Sequence, residues 1–328
     1  MKQVDVVIIG GSLAGAACVR ELTRQGIDAV AFERERFPRE KVCGGFVSPG
    51  AIDLLDELEV LEAVRAAGAT TVRSSMIRIN GRGIPVELPR PGLGISRGTL
   101  DAILAVHSGI HQGFVRSVQS TGDTFKVQLD GGEVSTRVVV DAAGKLSRFS
   151  QRATVPQFGV QFYQPGTRGD VLDFWFFEQG YGGAVTVEGD RTSACFLINK
   201  DALAGFLSKP WEGVASADCL VTGPLAYDRR SSDFIAIGDA AGMVDPFCGE
   251  GMRHALDTGL CAAKVIVAGL NRGENYETMR GRYENEARGR WHGKRRLGKM
   301  IRQMLKYPRL TSFGLGLNPE YWFRKLWG

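Results

Sequence analysis

An α/β fold follows from three features of the 328-residue sequence: a parallel sheet with helices, a smaller antiparallel sheet interleaved with it, and a helical C-terminal region. Residues Val4, Val6, Val7, Ile8 and Ile9 form a near-continuous apolar run that leads into a glycine turn and a helix, as in a parallel-sheet strand buried on both faces. A second apolar run, "FIAIG", enters another glycine-rich turn and a long helical pattern after residue 250. Between these lie short alternating or apolar segments bounded by Gly and Asp, the pattern of an antiparallel sheet.

The first turn reads "GGSLAG". Gly10 and Gly15 occupy the first and last glycine positions of a dinucleotide-binding turn, Ser12 replaces the middle glycine, and Leu13 and Ala14 complete the helix entry. Ala16, Ala17, Val19, Arg20 and Leu22 continue the helix, Gly26 closes it, and the next strand runs from Ala29 to Phe32. Glu33 ends that strand about 20 residues after the glycines, where an acid receives a ribose hydroxyl, and Arg34 falls beside it in the same adenosine site. An acid here prefers a free 2′-hydroxyl, so FAD or NAD is expected rather than NADP. The serine at position 12 crowds the pyrophosphate slightly.

The second turn, "GDAAGMVDPFCGEGM", places Gly238, Asp239, Pro246, Gly249, Gly251 and Met252 between a strand and a helix. Glycines let the backbone approach a ligand closely, and the following helix aims its free N–H groups and positive dipole end at it. An anionic or electron-rich ligand is the expected occupant.

Together, "GGSLAG…ERE" and the late "GDAAGMVDPFCGEGM" resemble the FAD-dependent group that contains geranylgeranyl reductases, aromatic hydroxylases of the para-hydroxybenzoate hydroxylase fold and flavin-dependent halogenases. The resemblance implies a Rossmann-like FAD-binding domain, with Asp239 on the cofactor's sugar-phosphate chain and the Gly249–Met252 turn facing the isoalloxazine ring. It extends to "ISRGTLDAILAVH", where it implies that Arg97 reaches the phosphate or ribityl region, and to "FPREKVCGGFVSPGAIDLL", where it places Cys43 near flavin and substrate as a catalytic candidate. Asp141-Ala142-Ala143-Gly144 departs from the Asp-Gly pair of the aromatic hydroxylases and is closer to the halogenases and some reductases. The halogenases' lysine has no candidate in "TTVRSSMIRINGRG", and their Trp-x-Trp-x-Ile-Pro stretch is missing.

The aromatic segments "FGVQFY" and "VLDFWFFEQGYGGAVTVEG" suggest an apolar substrate pocket, with Phe174, Phe176 and Tyr181 as lining candidates. The expected organisation is discontinuous. Residues 1–75, 95–150 and 225–270 bind FAD, residues 76–94 and 151–224 form the substrate domain, and residues 271–328 form a basic helical tail. From Met279 onward there are 13 Lys and Arg against 3 Asp and Glu, while residues 1–278 hold 28 against 33, so the net +5 is a property of the tail. Leu297, Met300, Ile301, Met304 and Leu305 recur there at helical spacing.

Six scattered cysteines without a C-x-x-C pair fit a reduced cytoplasmic setting, and His107, His111, His254 and His292 form no zinc motif, so no metal is expected. No apolar run reaches the roughly 20 residues of a membrane span, and the N-terminus lacks a signal-peptide pattern. The basic tail allows peripheral membrane contact, and no nucleic acid partner is expected. No second strand–glycine–helix unit appears, so reducing equivalents come from transient NAD(P)H, a reductase partner or the substrate. The leading expectation is an FAD-dependent oxidoreductase that reduces or dehydrogenates a hydrophobic small molecule of isoprenoid or polyketide type. Flavin-dependent monooxygenation is the alternative; halogenation and non-catalytic flavin binding rank behind both.

Overall fold

A computed structural model describes residues 2–79, 82–106, 108–208, 218–304 and Trp327. Its first sheet has seven strands. The strand Lys2–Ile9 lies at its centre, parallel to Ala29–Glu33 on one side and to Gly132–Asp141 on the other. Val6, Val7 and Ile8 are fully buried, as the unbroken apolar run requires: Val6 and Ile8 pack with Cys18, Val19 and Leu22 of the following helix, and Val7 packs with Val115, Phe125 and Val127 from other strands of the same sheet. The short strand Ile235–Ala236 pairs in parallel with the end of Gly132–Asp141, so the second glycine turn emerges beside the first at the same sheet edge. Ligands of open α/β sheets bind at this carboxyl edge.

The helix Leu13–Arg24 packs along the helix Gly251–Asn271, and their contact depends on a glycine. A Cβ at Gly259 would stand 2.3 Å from the Ala14 carbonyl oxygen. That close approach brings the two helix N-termini to one site.

The second sheet has eight strands, among them Thr70–Ile79, Arg82–Gly94, Gln157–Pro165, Val171–Phe177, Gly180–Val187 and Arg191–Asn199. It is antiparallel except where Val171–Phe177 runs parallel to Thr70–Ile79. A parallel pair needs a long crossover, and here the connecting chain passes through the first sheet before returning. The sheet includes Phe46–Val47 and begins in earnest at Thr70, ahead of residue 76. Strands Ser150–Val155 and Leu225–Ser232 form a separate two-stranded ribbon linking the sheets.

The helix Tyr276–Met304 carries most of the tail's charge. Met279, Tyr283 and Trp291 are its buried anchors. Several of its cations dock on the body: Arg280 on the Ser232 carbonyl, Arg290 on Asp257, Lys294 on Glu250 and Arg295 on the Ala241 carbonyl. Leu297 of the expected apolar stripe packs against the core while Met300 is exposed. Leu305 lies outside the described residues, as do the side chains of Ile301 and Met304.

Because helix contact at Gly259 leaves no space for a side chain, Gly259→Val should destabilise the protein by at least about 1–3 kcal/mol. A melting curve should show a midpoint several degrees lower together with weakened cofactor retention, whereas an unchanged midpoint would contradict this packing.

Candidate functional site

Two cavities, of about 490 and 260 Å³, meet where the two glycine turns converge. Ser12, Lys41, Ala142, Gly144 and Lys145 line both, so the cavities form one bent groove. The larger is the more polar of the two and is lined by Gly10, Glu33 and Arg34; the smaller is lined by Leu13, Ala14, Cys43, Arg97, Gly238, Asp239, Pro246, Gly249, Gly251 and Met252. Among the cofactor positions expected from sequence, only Gly15 lines neither cavity. Its part is in packing, since a Cβ there would lie 1.9 Å from the Gly10 carbonyl oxygen.

Gly10 has φ +104°, and a Cβ at this residue would meet the Ala142 carbonyl oxygen at 2.5 Å. The turn therefore needs glycine at both positions. Glu33 accepts hydrogen bonds from the Gly11 N–H at 3.0 Å and the Glu35 N–H at 3.1 Å, which fixes its carboxylate at the cavity wall. Ser12 precedes the helix without capping it by its side chain. The first helical N–H groups thus remain available to an anion.

The Ser12 hydroxyl instead joins a buried charge network. Arg97 Nη2 donates to Ser12 Oγ at 2.7 Å, and Ser12 Oγ donates to Asp101 Oδ2 at 3.0 Å. Arg97 and Asp101 form a 2.9 Å ion pair on one helix, while Arg39 bridges Asp101 at 3.1 Å and Glu33 at 3.3 Å. Arg97 borders the smaller cavity, and its guanidinium is engaged with Ser12 and Asp101. The serine that seemed to crowd the turn is a link in this network.

Two lysines missed by the sequence reading stand at the junction of the cavities. Lys41 Nζ lies 3.7 Å from the position a Cβ would take on Gly144, and burial, then the nearby Arg97, pushes its pKa down. Lys145 hydrogen-bonds Thr222 Oγ1, and burial lowers its pKa to about 8 against the pull of Asp239. Lys41 lay inside the quoted "FPREKVCGG" segment, but its meeting with Lys145 arises only in three dimensions.

The smaller cavity is mostly apolar. Phe174 and Tyr181 line it, whereas Phe176 stands one layer behind, 5.6 Å from the Phe247 ring. The Tyr181 hydroxyl donates to Asp245 Oδ1 at 2.8 Å and accepts from the Phe247 N–H at 3.0 Å, so its polar end anchors the second glycine turn. Burial, reinforced by Asp245, holds the Tyr181 pKa well above that of an ordinary phenol. The backbone N–H of Cys43 donates to Gln161 Oε1 at 2.9 Å, presenting the Cys43 loop to the cavity opposite the second turn. His254 is buried, and burial together with Arg295 lowers its pKa to about 3, keeping the ring neutral. Among the described residues no cluster of ligands suited to a metal ion is found, and no helix is long and apolar enough to cross a membrane.

This groove fits a dinucleotide whose second half is a large aromatic ring. Glu33 suits the ribose, the uncapped helix N-terminus and the two lysines suit a pyrophosphate, and the second turn suits a flavin ring. Residues 3–158 match the family described as FAD binding domain. The chain is 26% identical to a menaquinone reductase of Mycolicibacterium smegmatis, an alignment covering 81% of this chain and 77% of the relative. It is 26% identical to a geranylgeranyl diphosphate reductase of Rhodobacter capsulatus, covering 82% and 76%. The fold matches flavin-dependent brominase Bmp2 with a TM-score of 0.78 at 21% identity, covering 99% of this chain and 93% of that one. It matches P. aeruginosa PqsL in complex with 2-aminobenzoylacetate with a TM-score of 0.80 at 17% identity, covering 95% and 99%. These likenesses mark the chain as a flavoenzyme oxidoreductase whose residues 3–158 resemble the FAD binding domain family.

If Lys145 pairs with the cofactor's phosphates, its protonated form binds FAD better, so affinity should fall as pH rises through about 8. Titration of FAD by fluorescence should show this loss in the wild type. Lys145→Met should bind about tenfold more weakly at pH 7 and lack the pH dependence. A variant that keeps the wild-type affinity and pH profile would remove Lys145 from the phosphate site.

Proposed function

We propose that this flavoenzyme adds two hydrogens across a carbon–carbon double bond of a hydrophobic, isoprenoid-like substrate. The observation that carries the proposal is the apolar cavity at the second glycine turn, bordered by the thiol of Cys43 on one side and by Phe174 and Tyr181 on the other. The names of the curated relatives, menaquinone reductase and geranylgeranyl diphosphate reductase, support reduction as the reaction type.

Bound FAD in its reduced state supplies a hydride. The chain's own residues do the rest. The helix that starts at Gly251 directs its N-terminal N–H groups toward the cavity, where they favour negative charge on the neighbouring ring edge. Phe174, Leu172 and Met243 exclude water and hold an alkene by apolar contact. Cys43, fixed through its backbone by Gln161, holds the proton delivered to the second alkene carbon. The hydride would bring two electrons and one proton to one alkene carbon, the Cys43 thiol would give the second proton to the other carbon, and solvent would restore the thiol proton. NAD(P)H bound transiently, or a reductase partner, then returns the electrons.

Anaerobic incubation with NADPH or NADH should bleach the flavin, and a prenyl substrate should restore its colour while gaining two hydrogens by mass spectrometry. Cys43→Ala should retain FAD and lose turnover by about 10²-fold or more. A product that gains oxygen in air, with no reduced alkene, would replace this reading with monooxygenation.

A further inference from the structure

Resting on that reading, we infer that Trp327 sets the length of substrate chain the cavity accepts. Trp327 is 3% exposed and forms the second layer of one cavity wall. Its indole Nε1 donates to the Cys248 carbonyl oxygen at 2.8 Å, tying it to the second glycine turn. Its ring lies 5.2 Å from that of Phe46 and stacks on that of Phe174 at 6.4 Å. A Cβ placed on Gly249 would meet the indole at 3.3 Å, so the glycine and the tryptophan are in direct contact. Phe46, Phe174 and Gly249 all line the smaller cavity. The indole therefore plugs the space immediately behind them.

Trp327 belongs to the apolar cluster that also holds Val72, Ile77, Val86 and Leu88 of the long hairpin of the second sheet. A prenyl chain longer than the cavity would have to run in that direction, through the volume the indole fills. Removing the indole would open its own volume behind the cavity wall, a space lined by the apolar side chains of this cluster. Each unit buried there adds favourable transfer of several methyl and methylene groups from water. The tryptophan thus limits the substrate to a short chain and gives the pocket an end.

The test measures binding of geraniol, farnesol and geranylgeraniol to the FAD-loaded enzyme through perturbation of the flavin spectrum, which requires no turnover. Wild type should bind the shorter alcohols in preference to geranylgeraniol. Trp327→Ala should raise the affinity for geranylgeraniol relative to geraniol about tenfold or more, and Trp327→Phe should give a smaller rise in the same direction. Flavin content and the melting midpoint establish that each variant is folded. If Trp327→Ala does not retain FAD, the Trp327→Phe ratio decides alone. A folded variant with the wild-type ratio overturns the role given to Trp327, as does a wild type that already binds geranylgeraniol as well as geraniol. Failure of the wild type to bind any of the three alcohols instead overturns the isoprenoid reading on which the inference stands.

Discussion

The carboxylate of Asp101 is the constraint on which the site depends. Almost fully buried, it receives the Ser12 hydroxyl, the Arg97 guanidinium and the Arg39 guanidinium, and Arg39 carries the link onward to Glu33. Four segments distant in sequence are thereby fixed to one another: the first glycine turn, the end of the second strand, the loop leading to Cys43 and the helix Arg97–Ala105. Two guanidinium groups balance two carboxylates, so no charge is left uncompensated. Breaking a buried pair of this kind by removing one partner typically costs about 3–5 kcal/mol, because the charge left behind has lost its water. The network also explains why a serine serves where the usual dinucleotide turn has glycine: its hydroxyl is needed inward, away from the cofactor.

Around this anchor, the elements are brought together by close backbone packing. Gly10, Gly15 and Gly259 remove the side chains that would separate the first strand, the helix Leu13–Arg24 and the helix Gly251–Asn271. The result is two helix N-termini at one sheet edge, one serving the polar cavity and the other the apolar one. Lys41 and Lys145 stand at the bend, where they would meet a negatively charged linker between two rings. Lowered lysine pKa values are the electrostatic signature of cations kept partly dehydrated beside other cations, and an anion placed between them would relieve that repulsion.

Much of this was legible in the sequence because it is local. Glycines at fixed spacing after an apolar strand, followed by an acid about 20 residues on, have few structural alternatives. The second turn was legible for the same reason, and its Gly238, Asp239, Pro246, Gly249, Gly251 and Met252 border the apolar cavity. What escaped depends on long-range meetings. Asp101 was within view inside the quoted "ISRGTLDAILAVH" segment, yet its partners Ser12 and Arg39 lie 89 and 62 residues away. Lys145 meets Thr222 across 77 residues, and Trp327 meets Cys248 across 79. Aromatic strand residues were legible as a set and not individually: Phe174 and Phe176 project from the same strand, yet only the first lines the cavity, while the second packs 5.6 Å from the Phe247 ring.

The central claim is that two contiguous cavities hold the two halves of one FAD. The most direct measurement is the affinity of the protein for FAD and for FMN, taken side by side by fluorescence titration. FMN reaches the apolar cavity and the lysines but leaves the Glu33 cavity empty. The account predicts that FAD binds at least about 10²-fold more tightly, a difference of roughly 2.7 kcal/mol from the adenosine half. Equal affinities would show that the larger cavity takes no part in cofactor binding and would contradict the account.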